Sequence, residues 1–134
     1  CPNGCGRHHV ANIGFQGGSF KGDKNRDVPS YEVFLAGNFE GGDVSYGQRV
    51  PVRIASKQAP EALKRILEFY QSHRQDGEPF NTFVSRVGIK AFTELLGDFD
   101  RNAPPLGPGT ISHYMDWERT VLYEVQRGEG ECAV

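Results

Sequence analysis

Two cysteines four residues apart, Cys1 and Cys5, open this chain in the run Cys1-Pro2-Asn3-Gly4-Cys5-Gly6-Arg7-His8-His9. A run so rich in glycine and proline is too compact for an ordinary strand. A four-residue separation lets two Cβ vectors converge, on one helical turn or across a tight loop. Gly4 and Gly6 permit backbone conformations closed to other residues and let amide N–H groups approach an anionic centre. Pro2 suits the first position of a helical turn, where its missing N–H is no loss. Convergent thiolates, nearby N–H dipoles and little side-chain bulk are what a soft metal or an iron–sulfur cluster selects.

Three readings of the pair stay open on spacing alone. A Cys1–Cys5 disulfide would close a very small ring, against the usual limits on Cα separation. Half of a zinc site would need two further ligands from His8, His9 or Cys132. An iron–sulfur cluster would use Cys1 and Cys5 but needs more thiolates than the chain offers nearby.

The rest of the composition narrows the setting. A length of 134 residues suggests one domain, residues 1–134, with a modest core. A formal charge of -2 with mixed signs argues against a dedicated nucleic-acid binder. There is no apolar run of membrane-spanning length and no leader pattern, so neither a membrane partner nor secretion is expected. Three cysteines, an odd number, fit a reducing cytoplasmic setting better than a disulfide framework. The chain starts on Cys1 and its only methionine is Met115, which reads as a fragment lacking an upstream half.

Hydropathy patterning predicts an α+β fold, a mixed sheet of about four strands with about three helices packed on it. Residues 8–16 alternate and read as a strand, with His8 and His9 at its entry. The polar run Lys21 to Asp27 is a turn, and Tyr31 to Asn38 is a second strand, apolar on both sides and able to pair with the first as a hairpin. Gln48 to Ala55 is a third, placed at an edge by Pro51. Pro60 opens a helix with Leu63, Ile66, Leu67 and Tyr70 inward. Pro79 opens another, burying Phe80, Phe83, Val84 and Val87 and closed by Gly88; a third buries Ile89, Phe92, Leu95 and Leu96. Residues 98–109 and 127–134 read as irregular, Trp117 as a core plug, and Thr120 to Gln126 as a fourth strand.

The opening heptapeptide, with the following His8-His9-Val10-Ala11-Asn12-Ile13-Gly14, resembles the second cysteine pair of the siroheme- and [4Fe-4S]-dependent nitrite and sulfite reductases. Pro29 to Asn38 is similar to that family's strand ending in Gly-Gly or Gly-Asn. Phe80-Asn81-Thr82-Phe83-Val84-Ser85-Arg86-Val87-Gly88 resembles its F-x-x-F-x-x-R-x-G helix end. The resemblance implies that the chain is the C-terminal part of the second 4Fe-4S/siroheme lobe, with a first pair, C-x5-C, lying upstream. It implies Cys1 and Cys5 as cluster ligands, with Cys5 bridging to the siroheme iron. Asn3, Gly4 and Gly6 would donate hydrogen bonds to the cluster, and Arg7, then Lys24 and Arg26, would meet siroheme carboxylates. The implied activity is six-electron reduction of nitrite to ammonia or sulfite to sulfide, fed by ferredoxin or a flavoprotein. The N-terminal half of the parent would supply the remaining ligands and the anion-binding side chains. The isolated chain is therefore expected to be inactive and to hold cluster and siroheme weakly or not at all. The alternative is a small zinc- or disulfide-stapled binding module without redox activity.

Overall fold

The computed structural model describes residues 4–42 and 44–125. Among them, three strands form one antiparallel sheet in the order β1 (Ile13–Lys21), β2 (Asp27–Leu35), β3 (Gln48–Ala55). β1 and β2 pair along their whole length, from Ile13 opposite Leu35 to Lys21 opposite Asp27. The reversal is a short 3-10 turn, Asp23–Asn25, with Lys24 and Asn25 in the left-handed region at φ 52° and 57°. The hairpin expected across the polar run is therefore formed, but its first strand starts later than the alternation suggested. Residues 8–12 are turns: the Val10 and Ala11 N–H groups bond back to the Arg7 carbonyl, while the carbonyls of His9, Ala11 and Asn12 accept from Gly47, Gly37 and Ala36.

β3 lies at the edge, as Pro51 required. The register shifts between Glu32 and Val33, so Pro51 and Val52 are absorbed in a bulge where no ladder N–H is needed. The open side of β3 is partly covered by the segment after a 3-10 turn, Gly97–Phe99. Asp100 bridges Ile54, its carboxylate accepts the Arg53 N–H at 2.8 Å, and the Arg101 N–H donates to the Arg53 carbonyl at 2.8 Å.

Three helices, α1 (Ala59–His73), α2 (Phe80–Val87) and α3 (Ile89–Leu95), cover one face of the sheet. Val33 and Leu35 of β2 and Val50, Val52 and Ile54 of β3 meet Ala62, Ile66, Phe83, Val84, Phe92 and Leu96 in the main core. Inverting the predicted stripe of α1 slightly, the helix presents Ala62, Ile66, Phe69 and Tyr70 inward, and Leu67 is 40% exposed. The small Ala62 lets the helix approach the sheet. Phe69 then sits edge-on to both Phe83 and Phe92, with centroids 5.4 and 5.5 Å away. Gly88, at φ 79°, closes α2 and leads directly into α3.

The fourth strand is not formed in the described residues: 120–125 are irregular, and the sheet is wholly antiparallel rather than mixed. That segment has another use. The Tyr123 N–H donates to the Tyr114 carbonyl at 2.7 Å, holding the end of an arm that folds over the hairpin. Tyr114, fully buried with Phe20, Val28 and Ala55, is the plug that the sequence suggested for Trp117. Its hydroxyl donates to the Pro104 carbonyl at 2.9 Å and accepts the Asp23 N–H at 3.0 Å. Trp117 instead is 47% exposed, with the Lys57 ammonium 4.1 Å from its ring centre. The reason is local, since Tyr114 lies at the end of a 3-10 turn, Ile111–Tyr114, aimed at the sheet.

Candidate functional site

The strand alternation that sends Val33 and Leu35 to the helices sends Phe34 to the opposite face. There it meets the rings of His8 and His9, with centroids 5.8 and 4.8 Å away. The loop that carries Cys5 therefore sits at one end of the helix-free face, and the Tyr114 arm covers the other. Between them, Glu32 binds Arg53 and also Arg49, the latter at 2.7 Å, and Arg53 donates to the Ser19 carbonyl at 2.7 Å. Burial pushes the Glu32 carboxyl up, but Arg53 and Arg49 outweigh it and hold it below its ordinary range.

The Cys5 loop is built from backbone contacts. The Arg7 N–H donates to the Gly4 carbonyl at 2.7 Å, and those of Val10 and Ala11 return to the Arg7 carbonyl, both at 3.1 Å. Gly4 (φ 67°) and Arg7 (φ 56°) both take left-handed conformations, which fold the turn back on itself. Two glycines clasp the loop onto the sheet. A methyl group on Gly14 would lie 1.9 Å from the His8 carbonyl oxygen, and one on Gly37 would lie 2.6 Å from the Ala11 carbonyl oxygen. A third, Gly47, donates its N–H to the His9 carbonyl at 2.6 Å. Asn12 and Asn81 complete the clasp, both donating side-chain N–H groups to the Gly37 carbonyl, at 3.0 and 2.9 Å. Asn81 belongs to α2, so the thiol loop is tied to the helical layer through the sheet's end.

Cys5 is exposed and its thiol is free. Arg7 is exposed, its guanidinium carbon 5.7 Å from the centre of the Phe39 ring. Phe39 is itself 50% exposed, and Val44 and Tyr46 on the same returning loop are 66% and 78% exposed. A groove of about 350 Å³ opens between this loop and α2, walled by Asn38, Ser45, Gln48, Asn81, Thr82 and Ser85. Its polar lining is uncharged.

His8 is only 6% exposed, lies 4.1 Å from His9 ring to ring, and its Nε2 has no hydrogen-bond partner. Burial, and then the charge of His9, hold its imidazole below the usual histidine range.

The expected site residues are therefore divided. Cys5 and Arg7 share the loop; Cys1 and Asn3, and also Cys132, lie outside the described residues. Lys24 and Arg26 are at the hairpin turn, roughly 25 Å along β1 at the usual strand rise, and do not reach the loop. Arg26 faces Glu124 at 4.0 Å instead. The residues that hold the loop and that the sequence did not announce are Gly14, Asn12 and Asn81. An isolated glycine inside an alternating strand was the available signal, since it often marks a close backbone approach.

The loop fits the cofactors that the resemblance implied. It offers a free thiol, room around Gly6 where an added methyl group would touch nothing within 4 Å, and an exposed apolar and aromatic flank. Among the described residues, no three of His, Cys, Asp and Glu are gathered to hold a metal ion. No described helix is long and apolar enough to cross a membrane.

No family model matches the chain. Similarity to curated proteins is nevertheless clear. The chain is 36% identical over 95 residues to a sulfite reductase [NADPH] hemoprotein beta-component of Bacillus velezensis, covering 70% of this chain and 15% of that protein. It is 35% identical over 105 residues to the protein of the same name from a Methylobacterium species, covering 78% of the chain and 16% of the relative. Among solved structures, the Mycobacterium tuberculosis NirA protein superposes with a TM-score of 0.63 at 28% identity, over 69% of this chain and 17% of that one. The chain thus spans about 15% of the length of the curated relatives it matches. With the α+β architecture and the thiol loop in place, these likenesses assign the chain to the nitrite/sulfite reductase family.

Proposed function

We propose that this chain supplies Cys1 and Cys5 as ligands of a [4Fe-4S] cluster in a longer siroheme-dependent reductase. The observation that carries this reading is the free, exposed Cys5 thiol on a glycine-clasped loop, in a chain related to sulfite reductase hemoproteins. When bound, the cluster and siroheme supply the electron storage and transfer for a six-electron reduction.

The chain's own residues have simpler tasks. Gly14, Gly37 and Gly47 fix the loop's backbone, so the Cys5 thiolate meets its metal without a reorganisation cost. Gly4, Gly6 and Asn3 keep the approach free of bulk and offer N–H groups to an anionic cage. Phe39, Val44 and Tyr46 give an apolar surface against which a flat macrocycle excludes water. Arg7 supplies a positive charge to its carboxylates, and the neutral groove between the 38–47 loop and α2 supplies uncharged donors. The arginine and lysine side chains that bind the substrate anion come from elsewhere in the polypeptide.

Sulfite is the proposed substrate, since the curated relatives above are named for it. Their names also carry NADPH, which favours a flavoprotein donor over ferredoxin. A reducing cytoplasmic setting agrees with the free thiol. Taken alone, the chain is proposed to be inactive. The test is absorbance and metal analysis of the isolated chain beside the full-length protein. Cluster and siroheme bands with stoichiometric iron are expected only in the full-length protein. Zinc at one equivalent in the isolated chain would favour a stapled binding module instead.

A further inference from the structure

We propose that His8 donates a hydrogen bond from Nε2 to a sulfur atom of the cluster cage, and so sets the cluster's reduction potential. The inference rests on the cluster reading above and deepens it.

Nearly all buried polar atoms in folded proteins are hydrogen-bonded, so a buried orphan asks for a partner that the described residues do not contain. Nε2 of His8 is such an orphan. The side chain is almost wholly buried. His9 packs on it at 4.1 Å and Phe34 stands 5.8 Å away, while its own carbonyl is pressed against Gly14. One edge of the ring faces the thiol turn: Cε1, the carbon between the two ring nitrogens, lies 3.9 Å from where a Cβ on Gly4 would be, and Gly4 is bonded to Cys5. A neutral imidazole carries one N–H, and protonation at Nε2 makes the orphan a donor. The partner that suits it is an acceptor of negative charge arriving on the Gly4–Cys5 side. Thiolate and sulfide sulfurs are such acceptors. N–H groups directed at them favour the more negative, reduced cluster and raise its potential. His8 acts here as a positioning and tuning residue, not as one that touches substrate.

The test uses the full-length reductase carrying this chain, labelled with 15N-histidine, reduced, and examined by pulsed electron paramagnetic resonance. One weakly coupled imidazole nitrogen is expected at the reduced cluster, and it should vanish in His8→Gln. The cluster potential should be more negative in His8→Leu than in the native protein, and should return toward the native value in His8→Gln, which keeps an N–H. A cluster-loaded native protein with no nitrogen coupling would overturn the proposal, as would an unchanged potential in a cluster-loaded His8→Leu. Should His8→Leu fail to fold, the coupling in the unmutated protein still decides. Absence of iron and acid-labile sulfide from the native protein is a different result, and it overturns the cluster reading itself.

Discussion

Gly14 and Gly6 lie on either side of His8 and His9, yet their substitution should have opposite consequences. Gly14→Ala must push its methyl group against the His8 carbonyl oxygen, 1.9 Å away, so either the loop or the strand has to move. A loss of about 1–3 kcal/mol is expected, the usual cost of overpacking a closed site. Gly6→Ala meets nothing within 4 Å and should stay within about 0.5 kcal/mol of the native chain. Urea midpoints of the two variants check this, and equal midpoints would show that the clasp does not hold the loop. The contrast also marks what was legible at this scale. Cys5 and Arg7 stood out as candidates because residue type carries the chemistry expected of them. Gly14 was legible only as a glycine within a strand, a hint of close approach that does not say which backbone would lie against it. For Lys24 and Arg26 the charge was legible but the place was not: charge type says nothing about which end of a hairpin a residue occupies.

The turn between α1 and α2 is held by one ion pair, and its strength should be visible in the pH dependence of folding. Glu78 is 7% exposed, and both of its oxygens receive Arg86, at 2.7 and 2.8 Å, while the Gln75 N–H donates at 2.9 Å. Hydrogen bonds from Arg86, then from the Gln75 backbone, bring its carboxyl down to about 2. A depressed folded-state pKa stabilises the fold above the ordinary carboxylate range and ceases to do so as pH falls toward that value. Lowering the pH from 5 to 3 should therefore weaken the native chain, and Glu78→Gln should flatten that part of the urea-midpoint profile. An identical slope in the variant would contradict the assignment. Across the sheet, Tyr114→Phe removes the bonds to Asp23 and Pro104 and should cost about 1–3 kcal/mol by the same measurement. The elements themselves were largely readable: proline starts and Gly88 marked α2, and the hairpin followed from its polar turn. The face of α1 was misjudged because Ala62 is weakly apolar, and the Thr120 to Gln126 alternation lacked a neighbouring strand to pair with.

At the scale of the molecule, the sheet separates structure from proposed chemistry. The helical face holds the main hydrophobic core, and the helix-free face is divided between the thiol loop and the Tyr114 arm, with the Glu32–Arg49–Arg53 cluster between them. Packing on one side can thus stabilise the loop on the other without burying Cys5. That arrangement would suit a chain whose exposed thiol meets another part of a larger protein, and the matched residues make up 15% of the Bacillus velezensis relative. The most direct test of this account is the iron and acid-labile sulfide content of the full-length protein, native and Cys5→Ser. The account predicts that the native protein holds cluster iron and sulfide and that Cys5→Ser loses both while keeping its helical circular dichroism. Undiminished iron and sulfide in a folded Cys5→Ser protein would contradict it.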